Sequence, residues 1–302
     1  FFILINNTSS DAAGGVKLTM GGASPAASAY ITNNIIAGNT GYEEGGMYLQ
    51  YWTFSLVSIK NNSFYNNYSS QTESGSAIRT VRHDTGYGTS VASQIDNNIF
   101  SNHRGNNLVY FGVGNVSSYL DIDFNGNNYI GNQTDYIFYQ SGEASVDADS
   151  NYWGTTAESE IQARIYDWND DGSLGYVDYN PYLSVPNIDA PISPPTNVAK
   201  EIQSNEIILT WDANPESDVD GYKIHYGNHT GYSFANTIDA GNTTSYDISG
   251  LVSNLDSVVA VTAYDDDADG TSDQVDGNES WFSLAAKYPD HVAGITLEAA
   301  PS

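Results

Sequence analysis

Cysteine is absent from the 302-residue chain, which excludes a disulfide framework and any cysteine-ligated zinc site. Positive charge is scarce: 9 Lys and Arg stand against 37 Asp and Glu, a formal net charge of −28. Such a surface repels phosphate backbones and anionic headgroups, so it argues against nucleic-acid and membrane-surface partners. It suits a salty medium, bound divalent cations or plain solubility. No apolar run approaches the roughly 18 residues of a spanning helix, so no membrane insertion is expected, and no secretory leader is visible. The chain opens directly on the apolar run FFILI, which reads as a piece of something longer.

Asparagine, by contrast, recurs in a pattern. NNIIAGN starts at Asn33, NNSFYNN at Asn61, NNIFSNH at Asn97 and NNYIGNQ at Asn127, at intervals of 28, 36 and 30 residues. Repeats of this length indicate a solenoid, propeller or array. Ile31, Ile59 and Ile95 sit two residues before a pair, and Ile36, Phe64, Phe100 and Ile130 three residues after its first member. Gly14-Gly15-Val16 matches Gly45-Gly46-Met47. Strand formers dominate without a 3.6-residue period, so each repeat is a coil of short strands. Equivalent Ile and Phe positions should stack into one core. The asparagines should turn the chain, because Asn tolerates left-handed backbone angles, and should hydrogen-bond to one another along the axis.

ITNNIIAGN, IKNNSFYNN, IDNNIFSN and FNGNNYIGN resemble the right-handed parallel β-helix family, which includes pectate lyases, surface proteins and phage tailspikes. The adjoining stretch, SNYWGTTAESEIQARIYDWNDDGSLGYVDYNPYL, is similar to the closing segment found after such repeats. In it Asn151-Tyr152 aligns with Asn128-Tyr129. Thr155 or Thr156 is expected to cap a short helix with Ile161, Ile165 and Trp168 as its apolar stripe. PNIDAPISPP, residues 186–195, reads as a stiff linker. EIILTW, GYKIHYG, TSYDISGL and VVAVTAY are alternating strands at sandwich spacing. Pro194-Pro195, Trp211, Tyr222, Tyr246 and Leu251 make this part resemble a fibronectin type III module, although Val258 or Val259 stands where a tyrosine is usual. The organisation expected is all-β: a solenoid with cap over 1–185, a linker over 186–195, a sandwich over 196–288 and a tail over 289–302.

Chemistry-bearing residues are few. Two segments carry the alternating-carboxylate calcium-loop pattern. One has Asp265, Asp267, Asp269, Asp273 and Asp276; the other has Asp167, Asn169, Asp171 and Asp178. Their bland alternatives are a solvated loop and a capping turn. The β-helix lyases to which the repeats are similar pair a Lys or Arg base with an arginine, and Lys60, Arg79, Arg82 and His83 are the candidates here. Arg79 and Arg82 would face opposite ways on a regular strand, so a joint role needs a turn between them. The paired-aspartate and Gly-His-Gly signatures of the β-helix polygalacturonases are absent, and no general acid–base dyad can be assigned. Tyr42, Tyr48, Tyr51, Trp52 and Tyr65 lie within two coils, where flat aromatic faces would stack on sugar rings or simply cover strands. Asn-x-Ser/Thr sequons, such as those at Asn67 and Asn228, arise from the asparagine content.

These readings lead to a secreted or cell-surface β-helix protein without an assignable catalytic set. It is expected to bind extracellular polysaccharide or surface glycans, or further copies of itself, with calcium stiffening loops. The alternative is a polysaccharide lyase or glycoside hydrolase.

Overall fold

The computed structural model describes residues 2–10, 13–20, 28–52, 55–83, 93–113, 122–204, 206–230, 233–252, 256–265 and 278–286. The chain divides into two compact units, one holding residues 1–193 and the other most of residues 194–302.

The first unit is a parallel β-solenoid of about five turns. One sheet stacks Ile3–Ile5, Ile35–Ala37, Ser63–Tyr65, Ile99–Ser101 and Asn128–Ile130, all parallel. A second contains Val16–Thr19, Met47–Trp52, Ile78–His83, Arg104–Val113, Gln133–Gln140 and Ile165–Tyr166. The third runs from Ser28–Thr32 through Leu56–Lys60, Ser93–Asp96, Ile122–Asp123 and Val146–Asp147 to Val177–Asp178. The glycine match holds, since Val16 pairs with Met47 in register.

The repeated asparagine pair divides its labour between its two members. The first takes the left-handed backbone at the corner: Asn33, Asn61 and Asn97 have φ of 58°, 55° and 54°. A Cβ-bearing residue meets steric cost there that asparagine tolerates. The second points inward and builds a buried column. Asn34 Nδ2 donates to Asn62 Oδ1 at 2.9 Å, Asn62 to Asn98 at 2.9 Å, Asn98 to Asn127 at 3.0 Å and Asn127 to Asn151 at 3.1 Å. Each backbone amide of the column donates to the same Oδ1 of the next coil. Buried polar groups are thus satisfied.

The alignment of the fourth pair is one residue off. Gly126, with φ of 68°, takes the corner, and Asn127 takes the column position. Asn128 instead pairs by bridge with Tyr152, so Asn151-Tyr152 aligns with Asn127-Asn128. Consequently Tyr129, not Ile130, continues the core row from Ile36, Phe64 and Phe100. Phe64 stacks on Phe100 at 4.9 Å, Phe100 on Tyr129 at 5.4 Å, and Tyr129 packs against Trp153 at 5.2 Å. One ring per coil gives a continuous apolar core.

A second column stands at the other corner, with one substitution in it. Asn7 donates to Asn39 at 2.9 Å and Asn39 to Asn67 at 3.0 Å. His103 occupies the next rung, its Nε2 3.0 Å from Phe64 O and its Nδ1 3.2 Å from Asn67 O. Its backbone amide donates to Asn132 Oδ1 at 3.0 Å. Full burial depresses the imidazole to about 4, against the help of the two carbonyls.

The cap is shorter than expected. Its helix covers only Glu158–Gln162, with Ala157 at the N-cap and no side-chain cap bond. Thr155 acts one turn earlier, accepting from the Ala157 amide at 3.1 Å and donating to Glu160 at 2.6 Å. Ile161 and Ile165 are buried, but Ile165 lies on a strand and Trp168 is 44% exposed, so they do not form one helical stripe.

The second unit is an antiparallel sandwich. One sheet pairs Ala199–Gln203, Glu206–Thr210 and Ser245–Asp247; the other pairs Phe234–Gly241, Gly221–His229 and Val259–Tyr264. Leu209, Ile224, Ile248 and Val261 are fully buried, and Trp211 lies 5.4 Å from Tyr222.

Candidate binding face

Alternation along the second solenoid sheet sends Met47, Ile78, Val109, Phe138 and Ile165 into the core. The residue after each therefore points out. Register aligns these outward residues into one row: Lys17, Tyr48, Arg79, Tyr110, Tyr139 and Tyr166. Lys17 Nζ lies 5.3 Å from the Tyr48 ring centre, and the Arg79 guanidinium lies 5.9 Å from Tyr48 and 5.4 Å from Tyr110. These are cation–π distances. Tyr110 then stacks on Tyr139 at 5.4 Å and 9°, and Tyr139 on Tyr166 at 4.5 Å and 3°. Tyr136 meets Tyr139 and Tyr166 edge-on at 5.8 and 5.5 Å.

Arg79 is anchored from below. Its Nη1 lies 3.0 Å from Oε1 of Glu44, a fully buried carboxylate whose Oε2 has no hydrogen-bond partner among the described residues. Burial pushes the Glu44 carboxyl up to about 7, outweighing the Arg79 guanidinium that holds it down. Burial also raises the Tyr48 phenol, with Arg79 opposing.

This geometry changes the expected mode of aromatic contact. The rings stand on edge and cover one another's faces, so edges and hydroxyls are what the row offers outward. Tyr48 belongs to it and Tyr42 is 51% exposed, but Tyr51 is turned into the core at 2% exposure and Tyr65 is buried at 4%. Neither can stack on a sugar. The side chain of Trp52 lies outside the described residues.

Of the lyase candidates, Lys60 and Arg79 are not brought together. Lys60 is on the third sheet, 3.1 Å from Asp96, whose carboxyl burial raises against the pull of Lys60. Arg79 is on the second sheet with Glu44. Pairing runs unbroken from Ile78 to His83, so no turn separates Arg79 from Arg82. The side chains of Arg82 and His83 lie outside the described residues.

In the loop from Asp167 to Asp178, the Asp167 carboxylate is already committed. Its Oδ1 accepts from Asn169 N at 2.9 Å and Nδ2 at 3.1 Å, and its Oδ2 from Val177 N at 2.9 Å. Asp171 accepts from Ser173 N and Oγ at 3.0 and 2.8 Å, which holds its exposed carboxyl below the usual range. Among the described residues Asp178 accepts only a long 3.4 Å contact from Asn180. Asp265 is buried at 5%; Asp267, Asp269, Asp273 and Asp276 lie outside the described residues. Among the described residues, no group of three or more His, Asp or Glu is placed to hold a metal ion.

Sequence reasoning named Tyr48 and Arg79 separately and missed Glu44, Tyr110, Tyr139 and Tyr166 as their companions. The signal was each residue's place next to a core position, visible only once the coils are in register.

A parallel β-solenoid leading into an antiparallel sandwich is an extracellular type of architecture. Residues 193–277 match the fibronectin type III domain. No curated protein and no solved structure matches the chain. No helix among the described residues is long and apolar enough to cross a membrane.

Proposed function

We propose that this is a non-catalytic secreted or cell-surface protein that binds a glycan chain along the outer row from Lys17 to Tyr166. The observation that carries the reading is the continuity of the row. Tyr139 and Tyr166, both partly exposed, stand 4.5 Å apart at its C-terminal end, and each hydroxyl can donate and accept. A polyhydroxylated chain laid along the solenoid axis meets both in turn. Lys17 and Arg79 add donors at the other end. Binding here rests on hydrogen bonds more than on ring stacking. The fibronectin-like sandwich serves as spacer, and the acidic stretch from Asp265 to Asp276 is the proposed calcium-binding loop.

Affinity gel electrophoresis on a panel of neutral and anionic polysaccharides tests the reading. Retention by one polysaccharide should weaken several-fold in Tyr139→Phe and Tyr166→Phe, which lose a hydroxyl and keep the ring. Undiminished retention in both variants removes the row as the binding site. Unsaturated product that disappears in Lys60→Ala or Arg79→Ala replaces binding with the lyase reading. Neither retention nor turnover leaves self-association, to be read by light scattering.

A further inference from the structure

We infer that Tyr139 and Tyr166 form an oxidative modification site, at which a carbon–carbon bond between their phenol rings ties the cap to the last full coil. Their rings lie 4.5 Å apart and only 3° from parallel, the tightest aromatic pair among the described residues. Both side chains are partly exposed, so an oxidant reaches them. They are directly opposite on adjacent strands, Tyr139 pairing with Tyr166 in register. Fixed proximity of this kind turns a bimolecular coupling into an effectively unimolecular one. Other tyrosine pairs are less suited. Tyr110 is 6% exposed and 5.4 Å from Tyr139, Tyr136 meets its neighbours at 69° and 68°, and Tyr179 and Tyr182 are 6.4 Å apart.

The step balances with a peroxide as oxidant, delivered by a haem peroxidase. Each phenol loses one electron and its hydroxyl proton to give a phenoxyl radical. The two radicals join through the ring carbons ortho to oxygen, and the two hydrogens on those carbons move to the oxygens and restore both phenols. Two protons and two electrons leave the protein and reduce hydrogen peroxide to two waters. The structural gain is specific to this chain. It has no cysteine, and the cap strand Ile165–Tyr166 is held to the solenoid by a two-residue pairing.

Arg164 lies between the two tyrosines, so trypsin separates them. The purified full chain is treated with haem peroxidase and hydrogen peroxide, and the monomer band is digested. The expected product is two tryptic peptides joined, lighter by two hydrogens, with Tyr139 and Tyr166 as the linked residues by fragmentation. The linkage should vanish in Tyr139→Phe and in Tyr166→Phe and persist in Tyr176→Phe. Treated wild type should also unfold at higher urea than treated Tyr166→Phe. A monomer without the joined peptides, a link mapped to another pair, or links formed only between molecules overturns the inference.

Discussion

Replacing His103 by asparagine restores the uniform column and removes one of two titrations of opposite sign. His103 stays neutral in the fold down to about 4, whereas the unfolded imidazole takes its proton near 6.5. Between those values the unfolded state binds more protons, so stability is lost as pH falls from 6.5 towards 4. At about 1.4 kcal/mol per pH unit, the loss is about 3 kcal/mol. Glu44 works the other way. Its carboxyl titrates near 7 in the fold, against 4.5 ordinarily. The folded state keeps a proton that the unfolded chain has released, so stability is lost as pH rises from 4.5 to 7, again by about 3 kcal/mol. In the wild type these slopes oppose each other between 4.5 and 6.5, and stability there should be nearly flat. His103→Asn exposes the Glu44 slope, giving a protein that weakens as pH rises. Glu44→Gln exposes the His103 slope, giving one that weakens in acid. Urea midpoints of the solenoid transition, measured for the three proteins across this window, decide the matter. A His103→Asn protein that still weakens in acid, or a Glu44→Gln protein that still weakens as pH rises, would refute the assignment of these two buried groups.

The two members of an asparagine pair should respond differently to truncation. Asn61→Gly keeps the left-handed corner and removes an Oδ1 that has no partner among the described residues, so urea stability should stay within about 0.5 kcal/mol of wild type. Asn62→Ala strands the Asn34 amide and Nδ2 and should cost about 2–6 kcal/mol, at 1–3 per buried group. Equal effects would refute the division of labour. Gly45→Ala should unfold the second coil, because its Cβ would meet Ser76 O at 2.4 Å and Tyr68 N at 2.5 Å; a soluble variant with a wild-type melt would contradict this. Asp167→Asn should cost about 1–3 kcal/mol through the Val177 or Asn169 amide it leaves unpaired; calcium should not rescue it, as a calorimetric melt with and without the ion will show.

How far the sequence was legible depends on register. Coils two to four carry Asn pairs at the same corner, and there core row, turn and column were all readable. At the fifth coil the rule failed by one residue because Gly126 supplies the left-handed angle more easily than asparagine. Asn128 resembles a column member in sequence but instead holds residue 187, donating to Asn187 O at 2.9 Å and accepting from Asn187 N at 2.8 Å. The second column was hidden for a related reason, since His103 breaks its series and only a buried, bonded environment shows that imidazole is replacing an amide. The outer row was illegible because loops of unequal length separate its members. Tyr110 and Tyr139 are 29 residues apart, Arg79 and Tyr110 31, and only backbone pairing equates them. Tyr51 shows the converse error: proximity in sequence to Tyr48 suggested a shared surface that strand alternation denies.

Both asparagine columns are one-way. Wherever one asparagine meets another, Nδ2 donates to the Oδ1 of the C-terminal coil, while Asn39, Asn62, Asn98 and Asn127 also donate back to a backbone carbonyl of the coil before. The side-chain amides thus queue head to tail and polarise one another. A coil copied in tandem joins such a queue at either side without fault, whatever the length of its loops; successive rungs already differ by 24 to 36 residues. A coil joined in the reversed sense would set oxygen against oxygen. The lineage of this solenoid can therefore lengthen or shorten by whole, like-oriented units, and its arithmetic is counted in coils while its loops vary freely.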